Sequence, residues 1–111
     1  MNSEIEKITG LSGVVLSMIA GVVFSFPSVS DAVIYGSRAK GSWKNFSDID
    51  ISLKGDDVSH KDLTDIMLKL DDLDIPFIVD VNRFSTITNE DLVDHINRIG
   101  ISIAEFATPV N

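Results

Sequence analysis

The sequence predicts an α/β (α+β) domain, a mixed β-sheet flanked by helices, and three observations carry that prediction. Residues 48–53, Asp-Ile-Asp-Ile-Ser-Leu, alternate polar and apolar with the period of a half-buried strand. Beyond Ser59, the residues Leu63, Ile66, Met67, Leu70 and Leu73 recur at the spacing of one helix face. Ala32-Val-Ile-Tyr35 is a short β-branched run of the kind that fills a central strand.

The remaining elements follow in chain order. Ser3 and Glu6 have the spacing of a capping box, so a first helix is expected to begin there and run, with a break at Gly10, to about Ser25. Pro27 ends it, since proline cannot continue the hydrogen-bond ladder. Gly36 closes the first strand, and residues 37–41 form a turn or one short helical turn. Ser59 caps the central helix. Pro76 opens a third strand over residues 77–82, with Ile78, Asp80 and Asn82 on one side. Thr88 and Asp91 start a last helix, which turns Leu92, Val93, Ile96 and Ile99 inward and takes Gly100 as its C′ residue. Residues 101–106 carry a weak strand pattern.

Composition narrows the function. At 111 residues and 44% hydrophobic, the sequence reads as a single domain over 1–111, with neither repeats nor low-complexity tracts. The absence of cysteine excludes disulfides, thiolate zinc sites and cysteine nucleophiles. A net charge of −8 disfavours nucleic acid as the main partner and an anionic membrane as a surface. The apolar stretch over residues 11–26 is shorter than the ~20 residues a bilayer span requires, and the flank before it lacks the positive start of a signal peptide. It reads as a buried helix, with an interface as the second reading, and the protein as cytoplasmic.

Three features bear on chemistry. Asp48 and Asp50 occupy alternate strand positions, which puts both carboxylates on one face with Cα atoms about 6.5 Å apart. Such a pair repels unless a cation sits between them, and its hard oxygens suit Mg²⁺ or Mn²⁺ completed by phosphate oxygens. Read alone, the pattern also fits a solvated strand face. Asp80 interrupts an apolar strand, either as a third converging carboxylate or as an exposed residue on the sheet's polar side. Gly36-Ser37-Arg38-Ala39-Lys40-Gly41 combines a glycine that admits close backbone approach, a hydroxyl and two positive charges, a combination suited to phosphate. A simple tight turn explains that run as well; its place just ahead of an acidic pair is what favours the phosphate reading. Residues 36–46 hold three bases and no acid, whereas residues 48–74 hold nine acids against three lysines.

With Tyr35-Gly-Ser-Arg-Ala-Lys-Gly41, Ser47-Asp-Ile-Asp-Ile51 and Asp80 in this order, the sequence resembles the nucleotidyltransferase domain of the DNA polymerase β superfamily. More narrowly it resembles the minimal nucleotidyltransferases, over roughly residues 27–106. Lys40 stands where small members prefer a second arginine, keeping the charge without the bidentate fork.

The resemblance implies the nucleotidyltransferase fold and assigns roles. Gly36 and Ser37 would hold the β- and γ-phosphates of a nucleoside triphosphate, ATP foremost, with Arg38 and Lys40 as further contacts. Asp48 and Asp50 would ligate one Mg²⁺ (or Mn²⁺) ion, and Asp50 with Asp80 a second, for in-line transfer of a nucleotidyl group to a hydroxyl. It further implies an antitoxin that modifies a HEPN-type helical partner protein with AMP. His60 and His95 read as ordinary helix residues. Two other functions fit the same residues: a binding module that neutralises its partner by contact alone, and a structural cation-binding domain. The choice of base, the acceptor and the oligomeric state are not legible.

Overall fold

A computed structural model describes residues 3–107. Two helices open it, α1 (Ser3–Thr9) and α2 (Gly13–Val23). The break expected at Gly10 is real: its φ is +69°, and Trp43 lies so close that a Cβ there would meet the indole at 2.3 Å. Glu6, expected to serve its own helix, instead reaches forward and accepts the Gly13 N–H at 2.7 Å, helping Ser12 cap α2. The Ser3 side chain of the expected capping box lies outside the described residues. Helix α2 ends at Val23, before Pro27, and buries Leu16, Ile19, Ala20 and Val23 while leaving Val14 exposed. Among the described residues no helix is long and apolar enough to cross a membrane.

Next come β1 (Asp31–Tyr35), the single turn α3 (Ser37–Lys40), β2 (Ile49–Lys54), α4 (His60–Asp71), β3 (Val79–Arg83), α5 (Glu90–Ile99) and the short β4 (Ile101–Ser102). The strands form a mixed sheet in the order β3-β2-β1-β4. Strand β1 is antiparallel to β2 and β4, whereas β2 and β3 run parallel, joined by the crossover through α4. This is the expected helix-flanked mixed sheet.

The alternation in β2 divides the sheet's two faces. Ile49, Ile51 and Leu53 join Ala32 and Ile34 in a core with α2 and with Ile66 and Leu70 of α4. The opposite face presents Tyr35, Asp50, Ser52, Asp80 and Asn82, partly covered by α5. Ser59 caps α4 as expected, its hydroxyl accepting the Asp62 N–H at 3.0 Å.

Four expectations are corrected. Met67 is 46% exposed rather than core, on the flank of the apolar stripe. Asn89, not Thr88, caps α5, its side chain accepting the Leu92 N–H at 3.1 Å. Gly100 is not left-handed, with φ −60°; glycine is required there because a Cβ would strike the Ile96 carbonyl and Val33, each at 2.3 Å. The weak strand after it lasts two residues and passes into a 3-10 turn, Ala104–Phe106, that packs on α2.

Candidate active site

The polar end of the sheet gathers the residues singled out by sequence. Tyr35 pairs with Asp50 across β1 and β2, and Asp50 pairs with Asp80 across β2 and β3, so the three side chains share one row on one face. Asp48 lies two residues before Asp50, on the approach to the strand, and is exposed. Burial and the charges of Asp80 and Asp48 push the Asp50 carboxyl above its ordinary range. Asp80 is itself exposed, so it is both the third acid near the pair and a solvated residue of the polar face. Neither ion pair formed among the described residues, Lys61–Asp65 or Arg98–Asp94, involves these acids.

No three His, Asp or Glu side chains among the described residues are gathered tightly enough to enclose an ion by themselves. The strands instead provide two acids in register and a third two residues away. Mg²⁺ accepts such a set when phosphate or water oxygens complete its shell.

The glycine–serine turn sits at the same end. Gly36 adopts φ +75° and ψ −152°, a region open only to glycine, and a Cβ there would lie 2.7 Å from Oδ2 of Asp50. Backbone and carboxylate are therefore in direct apposition. The Gly36 carbonyl accepts the Lys40 N–H at 3.1 Å, starting α3, so the N–H groups of Ser37 to Ala39 precede the first bond of that turn. Ser37 is half-buried and Lys40 exposed.

Arg38 departs from its expected role. It is 1% exposed. Its Nη1 donates to the Thr9 carbonyl at 2.9 Å, and Nη2 and Nε donate to that of Ser47 at 3.0 and 3.3 Å, with a longer bond from Nη2 to Asn45. The guanidinium also stacks over Phe77 and Trp43, at 4.9 and 5.2 Å from the ring centroids. A group so enclosed braces the turn against α1 and the segments that enter β2 and β3; it is not placed to meet a phosphate.

Three residues to which the sequence reading assigned no site role, His95, Tyr35 and Asn82, lie beside these groups. His95 of α5 accepts the Gly36 N–H on Nε2 at 3.1 Å and packs edge-on against Tyr35. The Tyr35 hydroxyl accepts from Nδ2 of Asn82 at 2.9 Å, and burial together with the charge of Asp50 raises its pKa. His95 was legible in one respect, since it shares a helix face with Leu92 and Ile99. A groove of about 630 Å³ between α4 and β3, lined by Met67, Leu68 and Ile78 among others, lies apart from this site.

Residues 19–107 match the family of polymerase beta nucleotidyltransferases. The chain belongs to that family. Its fold is also that of two solved structures. One is a toxin–antitoxin crystallised with AMP-PNP, 19% identical, with a TM-score of 0.65 over 84% of this chain and 73% of that one. The other is a candidate nucleotidyltransferase from Sulfolobus solfataricus, 23% identical, with a TM-score of 0.53 over 92% of this chain and 86% of that one. No curated protein matches the chain in sequence. In this nucleotidyltransferase domain the turn at Gly36 and the Asp50 carboxylate of β2 meet at one end of the sheet.

Proposed function

We propose that this nucleotidyltransferase transfers a nucleotidyl group, AMP from ATP, to a hydroxyl on a partner protein, as the antitoxin of a toxin–antitoxin pair. The observation that carries the chemistry is the Asp50–Asp80 register beside Gly36. The observation favouring the biological setting is the likeness to a toxin–antitoxin holding a triphosphate analogue. The HEPN class of the partner rests on the resemblance of the sequence to minimal nucleotidyltransferases.

The acids fit divalent cations. Asp50 and Asp80 bring hard oxygen donors from two adjacent strands into one row, with no ion-pair partner among the described residues, and burial together with the neighbouring carboxylates already disfavours the Asp50 carboxylate. Asp48 and Asp50 would hold one Mg²⁺ and Asp50 with Asp80 a second. When bound, such ions supply countercharge to the triphosphate and acidify the attacking hydroxyl. The chain's own contribution is positional. Gly36, its N–H already given to His95, shapes the turn so that Ser37 presents its N–H and hydroxyl to the β- and γ-phosphates, and the exposed Lys40 adds positive charge beside them. The α-phosphorus is then attacked in line, its bond to the bridging oxygen breaks, and pyrophosphate departs. No side-chain nucleophile is required.

Incubation with labelled ATP, Mg²⁺ and the product of the neighbouring gene tests the proposal. Label is expected on the partner, and Asp48→Asn is expected to abolish transfer while the two proteins still bind. Neutralisation of the partner that survives this substitution would favour a contact-only antitoxin, for which the apolar α4–β3 groove offers a surface.

A further inference from the structure

The end of helix α5 is seated against β1. Gly100 allows its end to settle on Val33, and Ile96 is buried against the strands. That seating brings His95 over Tyr35, with ring centroids 6.2 Å apart and planes near perpendicular. From there Nε2 accepts the Gly36 N–H across 59 residues of sequence. An imidazole nitrogen that accepts carries no proton, so this bond calls for the tautomer with its hydrogen on Nδ1.

Gly36 needs such a partner. Its φ and ψ lie where other residues do not go, and glycine itself has little intrinsic preference to stay there. Two bonds hold it: the carbonyl through the Lys40 N–H and the amide through His95. The first belongs to the turn itself. The second is the only bond among those described that ties the Gly36 amide to another element, and it orients the peptide that abuts Asp50.

We propose that His95 is a positioning residue of the nucleotidyltransferase site, holding the Gly36 peptide in the orientation that sets the phosphate cradle against the Asp50 carboxylate. This rests on the functional reading above and adds a residue to it. The ring acts through Gly36 and remains bonded to it when nucleotide binds.

Two variants test the proposal. His95→Phe keeps an aromatic edge against Tyr35 and removes the acceptor; His95→Gln returns an acceptor at similar reach. In the full chain, long-range ¹H–¹⁵N spectra are expected to show His95 as the Nδ1–H tautomer, with and without Mg²⁺ and AMP-PNP. His95→Phe is expected to shift the Gly36 amide resonance and weaken AMP-PNP binding about tenfold, the scale of one hydrogen bond, and His95→Gln to recover most of it. Unchanged binding in His95→Phe, failure of His95→Gln to recover binding while folded, or loss of the Nδ1–H signature in the nucleotide complex would each overturn the assignment. If the unsubstituted protein binds no AMP-PNP, the functional reading fails along with it, an outcome separate from normal binding that ignores residue 95.

Discussion

The turn around Arg38 and the strand pair around Asp50 both draw charge away from solvent, and they do so in opposite ways. Every nitrogen of the Arg38 guanidinium donates to a carbonyl, and two rings cover its faces. Asp50 is half-buried beside two further acids, and neither ion pair among the described residues reaches it. A buried charge with its partners supplied holds the fold; a half-buried charge set among like charges is a candidate for binding a ligand. Residue type alone does not separate the two, because arginine beside a glycine–serine turn is as natural a phosphate ligand as it is a brace.

The largest effect that tests this contrast is on stability. Arg38→Met keeps much of the volume but leaves the carbonyls of Thr9, Asn45 and Ser47 without their donor, and is expected to cost about 3 kcal/mol or more in urea unfolding. Arg38→Lys should recover little, since an ammonium cannot span the same fork. If Arg38→Met unfolds like the unsubstituted chain while nucleotide binding is lost, the contrast is broken and Arg38 belongs to the phosphate.

A smaller cost is expected of Gly36→Ala. The positive φ and the 2.7 Å approach to Asp50 together predict about 1–2 kcal/mol of lost stability. Binding of AMP-PNP with Mg²⁺, measured by calorimetry, should fall further than that figure implies, because the same methyl group displaces a candidate ligand.

Asp50→Asn sharpens the comparison from the other side. The Asp50 carboxyl titrates above its ordinary 3.8 in the folded chain, so the folded state binds the proton more tightly than the unfolded one. Its stabilising contribution is complete below that ordinary value and is lost as pH rises through the raised one. Thermal melts in metal-free buffer should show this decline, and Asp50→Asn should flatten it, with a gain near neutral pH of at most about 1 kcal/mol. A loss beyond ~2 kcal/mol would instead mark Asp50 as structural.

Most of the fold was legible because local signals dominate it. The alternation of residues 48–53 placed Asp48 and Asp50 on the polar side of β2, and Ser59 announced α4. The candidate site was legible where it is local in sequence, as in the turn at Gly36-Ser37 and the alternation that carries Asp48 and Asp50. What could not be read depends on distant partners. The role of Arg38 is decided by the Thr9 carbonyl, 29 residues away, and by Phe77 on the way into β3. His95 meets Gly36 only because α5 folds back onto β1, although its place on the inward helix face was a usable clue. The cap at Asn89 instead of Thr88 is a one-residue choice between two suitable side chains. Met67, on the flank of a long apolar stripe, was drawn into the core by periodicity and released by geometry.

The parallel match of β2 to β3 has a consequence for how the acids are spaced. The same alignment that sets Asp80 opposite Asp50 sets Val79 opposite Ile49 and Val81 opposite Ile51. A slip of one position would swing the carboxylate through the sheet into oil and bring a valine out to water. The separation of the two oxygen donors is thus gauged by aliphatic side chains on the far side of the sheet.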